Sequence, residues 1–103
     1  MILERALLHV LPGQEPRFEE ALEQAREVIA QAEGFRSLRA LRGVESKHDY
    51  LLLIEWDTLE DHMDRFRTSE LFNHWRALLG PHFDGAPLVD HFAPVESLET
   101  INS

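Results

Sequence analysis

The stretch "HMDRFRTSELFNHW", residues 62–75, gathers His62, Phe66, Phe72, His74 and Trp75 into one short run. A histidine ionises with an unperturbed pKa of about 6.5, so one placed beside a cavity suits proton abstraction from a phenol or enol at neutral pH. Flat rings beside it suit stacking on a flat aromatic ligand. His62 is therefore the candidate base, and Phe66, Phe72, His74 and Trp75 are candidate ligand-binding residues. His9, between Leu8 and Val10, joins them; it points either into the same pocket or into a subunit seam. Each residue also has a plainer reading. Apolar residues at helical spacing are first of all what a packed core requires, and a boundary histidine after a helix cap often faces solvent.

Other chemistries find less support. The chain has six histidines, but no pair shows the i, i+4 spacing of a helix-borne zinc site. It has no cysteine, which removes disulfides, thiolate catalysis and cysteine-based metal sites. There is no phosphate-cradling glycine loop and no nucleophile elbow, and Ser69 is better placed as a helix cap. No metal and no organic cofactor is expected.

The elements that must position these residues follow from pattern. "ILERALLHVL" (2–11) is strand-like and is closed by Pro12-Gly13. A helix follows, with Pro16 near its start, Gly34 as its expected C′ residue, and a buried stripe of Phe18, Leu22, Ala25, Ile29 and Ala32. "FRSLRALRGVE" (35–45) and "YLLLIEW" (50–56) form a hairpin across "SKHD" (46–49). Thr58 and Asp61 stand at capping-box spacing, with Leu59, Met63 and Phe66 as the expected stripe of the next helical piece. "RTSE" restarts the helix, and Leu71, Phe72, Trp75, Leu78 and Leu79 share a face that Gly80-Pro81 ends. "APLVDHFAPV" (86–95) is the last strand, and 96–103 form a tail beyond a single domain over 1–95.

The order β-α-β-β-α-β gives an α+β, ferredoxin-like split βαβ fold: a four-stranded antiparallel sheet with both helices on one face. Four consecutive apolar residues, Leu51 to Ile54, call for cover on both sides of the sheet, and a second subunit laid face to face supplies it. A homodimer through the sheet face is expected. Two short helical pieces meeting at an angle also leave a hollow that one straight helix would close. Phe66, Phe72 and Trp75 are expected to serve both core and cavity, with His62 at the rim.

Composition narrows the class. A formal charge of −9 argues against a nucleic-acid surface. No apolar run reaches membrane-spanning length, and "MILERALLHV" lacks the basic start of a signal peptide. A cytoplasmic address is the simplest expectation.

With these residues in view, the chain resembles the antibiotic biosynthesis monooxygenase (ABM) family of the dimeric α/β-barrel superfamily, over residues 2–95. The resemblance rests on the element order, on "EGFRSLRALR", on "YLLLIEWDTLEDHMDRF" and on "TSELFNHWRALL". It implies a sheet-to-sheet dimer with a cavity in each subunit between helices and sheet. It further implies oxidation of electron-rich phenols by dioxygen without metal or cofactor or, in a second branch, haem binding and degradation. The polyketide-oxidising members carry Asn, Trp and Tyr where this chain has His62, Phe66 and Phe72. The haem branch carries Asn, Trp and His where this chain has Ala6, Phe66 and Arg76, leaving only His74 as an axial ligand. The expected function is cofactor-independent oxidation of a small aromatic, phenolic or quinol substrate. The alternatives are a ligand-binding or stress-related homodimer without turnover and, third, a haem protein.

Overall fold

Alternation along the first strand, β1 (Ile2–His9), divides the sheet into two sides in the computed structural model, which describes residues 1–98. Glu4, Ala6 and Leu8 are buried beneath the helices, while Arg5 and His9 are exposed on the opposite side. The same rule makes Tyr50, Leu52, Ile54 and Trp56 the buried members of β3 (Asp49–Trp56), which pairs antiparallel with β1. β2 (Phe35–Arg42) flanks β3, and β4 (Leu88–Phe92) flanks β1, giving the order β2-β3-β1-β4 with every neighbour antiparallel. With helices α1 (Glu15–Ile29) and α2 (Glu70–Leu79) this is the expected ferredoxin-like α+β fold.

α1 buries Phe18, Leu22, Ala25 and Ile29 as its spacing predicts. It stops at Ile29, however, with Ala30 as the C-cap, so Gly34 is not its C′ residue. Gly34 instead makes a turn at φ +82°, where a side chain would run into the carboxylate of Asp61. The Phe18 ring lies 4.7 Å from Tyr50 and 6.0 Å from Phe83, filling the space under this half of the sheet. The last strand is shorter than its apolar pattern suggested, and the tail begins with a single turn at Glu96–Leu98. The rest of the expected tail, 99–103, lies outside the described residues.

The uncovered side of the sheet carries Leu3, Leu7, Leu51 and Leu53, all half-buried, with Leu41, Leu88 and Phe92 exposed around them. Among the described residues no helix is long and apolar enough to cross a membrane.

Candidate active site

The second crossover, between β3 and β4, departs from a simple helix in a way that determines the site. Thr58 and Asp61 form the expected capping box: Asp61 N–H donates to Thr58 Oγ1 at 3.1 Å, and Thr58 N–H donates to Asp61 Oδ2 at 3.2 Å. Beyond it the chain winds as a π-helix over Asp61–Phe66, closed by Arg67 N–H donating to His62 O at 3.0 Å. The wider winding rotates the buried face. Of the expected stripe only Phe66 is buried; Leu59 and Met63 are 41% and 36% exposed, and Asp61 and His62 are buried in their place. The restart at "RTSE" occurs as expected, with Ser69 as N-cap accepting from Phe72 N–H at 3.2 Å.

Because of that rotation His62 is no rim residue. It is only 4% exposed, and its ring stacks on Trp56 with centroids 5.2 Å apart. Its Nε2 lies 3.3 Å from Glu4 Oε1, and its Nδ1 lies 2.7 Å from His91 Nε2. Glu4, itself 6% exposed, accepts a hydrogen bond from Trp56 Nε1–H at 2.9 Å. Glu4 and His91 are direct cross-strand partners on β1 and β4. Three elements that are far apart in sequence thus line up Glu4, His62 and half-buried His91.

Burial sets the ionisation of this trio. Removal from water pushes the Glu4 carboxyl up to about 7, against the opposing pull of the Trp56 hydrogen bond and the Arg67 charge. The same desolvation, reinforced by His91 and Arg67, pushes His62 down to about 4. His91 is also lowered, mainly by burial. At neutral pH His62 is therefore an uncharged imidazole, and its contact with Glu4 is not an ion pair. Two proton arrangements satisfy the trio. In one, the Glu4 carboxylate faces His62 Nε2–H while His62 Nδ1 accepts from a protonated His91. In the other, protonated Glu4 faces a bare Nε2 and His62 Nδ1–H donates to His91. Exchanging one for the other moves a proton between the buried carboxyl and half-buried His91.

Glu4 and His62 open into a cavity of about 580 Å³ between the second crossover and the sheet. Its apolar walls include Ala6, Leu8, Leu52 and Val89 from the sheet, Phe72, Trp75 and Leu79 from α2, and Phe83 from the segment leading into β4. Arg67 and Arg76 complete it. Arg76 lies over the Phe72 ring, 5.8 Å from its centroid, rather than in a surface ion pair.

The residues singled out in the sequence separate accordingly. His62, Phe72 and Trp75 meet at the cavity. Phe66 is behind the wall, 3% exposed, with Trp56, Phe72 and Trp75 rings within 5.4 to 6.2 Å. His74 is exposed on the outer side of α2 and does not reach the cavity. His9 is on the uncovered side of the sheet, held by Asp49 Oδ1 at 2.6 Å, because odd positions of β1 point away from the helices. Glu4 and His91 were missed. Glu4 had a signal: it is the one charged residue among Ile2, Ala6, Leu8 and Val10 on an otherwise apolar strand face. His91 had none until β4 was paired to β1.

This arrangement, a split βαβ sheet with a ring-walled cavity and a buried titratable trio, defines a ferredoxin-like α+β domain with an internal cavity. The chain matches the sequence profile of the antibiotic biosynthesis monooxygenase family over residues 1–78, and it belongs to that family. It is 41% identical to the uncharacterised protein YczJ of Bacillus subtilis, with 92% of this chain and all of that one aligned. A crystal structure of a Bordetella bronchiseptica protein, described as a candidate antibiotic biosynthesis monooxygenase, superposes with a TM-score of 0.89. That protein is 37% identical, with 91% and 96% of the two chains covered. SnoaB of Streptomyces nogalater, a cofactor-independent oxygenase solved in mutant form, is 15% identical. It shares the fold at a TM-score of 0.75, with 96% and 97% of the chains covered.

Proposed function

We propose that the chain is a cofactor-independent monooxygenase acting on a phenol or quinol held in the Glu4–His62 cavity. The observation that carries this reading is a buried carboxyl of pKa about 7 facing an apolar, ring-walled cavity and backed by two histidines. A base poised near the operating pH is what abstraction of a phenolic proton requires. His62, expected as the base, is too weakly basic alone; the proton resides on Glu4, and His62 relays it to His91. Apo contacts of this kind tighten when substrate binds, so the 3.3 Å approach of His62 to Glu4 is compatible with transfer.

The resulting electron-rich anion passes one electron to dioxygen, giving superoxide and a substrate radical. Their recombination forms a carbon–oxygen bond at a ring carbon that bears hydrogen. Protonation of the peroxide and loss of that hydrogen break the O–O bond and leave a ring carbonyl and water. One oxygen atom enters the product, and the substrate supplies all the electrons. Phe72 and Trp75 stack on the ring, and the apolar walls limit water around it.

The functional unit is a homodimer through the uncovered sheet side, whose leucines otherwise face water. Sedimentation should give about twice 11.9 kDa, and a well-folded monomer at micromolar concentration would remove this element. Oxygen uptake should be measured with a panel of quinols and hydroxynaphthalenes. Glu4→Gln should lower the rate about 10²–10⁴-fold, the range for losing a general base. No uptake with any member of the panel would favour a ligand-binding protein without turnover.

A further inference from the structure

The cavity is electrostatically unlike the rest of the molecule. The chain carries 19 acidic side chains against 10 basic ones, yet the charged residues lining the cavity are Glu4, Arg67 and Arg76. Burial raises the Glu4 carboxyl to about 7, which weakens its negative charge at neutral pH. Of the seven other arginines, four pair with carboxylates: Arg5 with Asp90, Arg36 with Asp57, Arg42 with Glu19, and Arg65 with Asp61 and Glu33; Arg17, Arg26 and Arg39 lie outside the cavity. Among the described residues neither Arg67 nor Arg76 pairs with an acid. Arg67 meets only the Met63 sulfur, at 3.8 Å, and Arg76 lies over a ring. A guanidinium spread over an aromatic face keeps its N–H edge free for a planar anion. Within the first turn of α2, Ser69 Oγ takes the Phe72 N–H, and the two arginines add charged donors at this end.

We infer that the natural ligand is a hydroxyaryl carboxylic acid, its carboxylate held by Arg67 and Arg76 while its hydroxyl faces Glu4 and His62. The hydroxyl's orientation rests on the monooxygenase reading above; the anion subsite does not. Arg67 lines the same cavity as Glu4 and His62, and its charge acts on Glu4, His62 and His91. A bound carboxylate there offsets the Arg67 charge, which opposes imidazolium formation at both His62 and His91. The acid group thereby does two things. It anchors the ring, and it eases a proton onto the relay.

The test is binding of 1-hydroxy-2-naphthoate against 1-naphthol, which share the ring and hydroxyl and differ in the carboxylate. Quenching of tryptophan fluorescence reports it without turnover, since Trp75 lines the cavity. The acid should bind at least about tenfold more tightly, the low end for one charge-assisted hydrogen bond. That ratio should fall toward one in the double variant Arg67→Gln/Arg76→Gln, and it should shrink in high salt because both arginines are solvent-exposed. Arg17→Gln, in a separate surface groove between α1 and α2 and outside this cavity, removes the same charge elsewhere and should leave the ratio unchanged. Equal affinities, a ratio that survives the double variant, or failure of both probes to bind below millimolar concentration would each overturn the inference. An intact ratio with no oxygen uptake would sink the monooxygenase reading alone.

Discussion

The two crossovers of this fold cover one sheet and do opposite things with it. α1 is a continuous helix whose stripe of Phe18, Leu22, Ala25 and Ile29 is packed to closure. The second crossover is a π-turn followed by a recapped helix, and of α2 only Leu79 is fully buried. One half of the molecule holds the fold and the other holds a hollow. The hollow is not slack packing, because the polar groups at its floor are paired and buried. A π-turn replaces two apolar residues with Asp61 and His62 on the inner face, and Asp61 is in turn neutralised by Arg65 at 2.6 Å. Stability has been exchanged there for a titratable interior, a pattern seen where π-bulges accompany function.

Truncating rings in each half sharpens this contrast. Phe18→Ala should cost about 3–5 kcal/mol, the range for a fully buried aromatic. Phe66→Ala belongs in the same range, above what a cavity-lining role would imply, since the ring is enclosed by Trp56, Phe72 and Trp75. Phe72→Ala, with the cavity on one side, should cost about 1 kcal/mol. Urea titrations with unchanged m-values would check all three. Equal costs for Phe18 and Phe72 would mean that the two halves are packed alike.

The next effect is smaller and depends on pH. Glu4 is raised to about 7 in the folded protein from 4.5, so the folded state binds the extra proton between those values. Its contribution to stability is present below pH 4.5 and is lost as pH rises through 7. His62 is lowered to about 4 from 6.5, so the unfolded chain binds the extra proton there, and stability is lost as pH falls from 6.5 to 4. The two slopes oppose each other between pH 4.5 and 6.5. The wild type should therefore be nearly flat across that window, with Arg67, Asp90 and half-buried His91 as the other charges that modulate it. Glu4→Gln removes one slope and keeps the Trp56 hydrogen bond. It should gain on the order of 2–3 kcal/mol over wild type at pH 8 and nothing at pH 4. A gain independent of pH would mean that Glu4 is not buried as an acid.

Legibility in the sequence divided along the same line. α1, the hairpin, the capping box and the recap at Ser69 were all readable, because local propensity and tertiary packing ask for the same thing there. The inner face of the second crossover was not. Leu59, Met63 and Phe66 satisfy an α-helical period, and a π-turn breaks that period without a composition signal of its own. His62 was readable as a residue of interest, but it was placed at the rim for the same reason. Glu4 broke an apolar alternation and was visible in principle. His91 depends on β4 lying beside β1, a long-range pairing that no local pattern encodes. His9 and His74 were drawn in by residue type alone; strand parity places one on the open side, and helix phase places the other outside.

The smallest expected effect separates those two histidines from His62. His74→Ala should leave stability and ligand affinity unchanged, since the side chain meets neither core nor cavity. His9→Ala removes an exposed contact with Asp49, worth about 0.2–1 kcal/mol at most in double-mutant terms. That figure describes an open sheet side. If a second subunit covers it, His9 and Asp49 lose water, and breaking the pair leaves Asp49 buried without its partner, which costs considerably more. The two cases diverge in one measurement. Dimer dissociation followed by sedimentation should respond to His9→Ala far more than to His74→Ala, while naphthoate affinity responds to neither. A dimer indifferent to His9→Ala would place the seam elsewhere on the molecule and leave the open leucines of β1 and β3 still in need of cover.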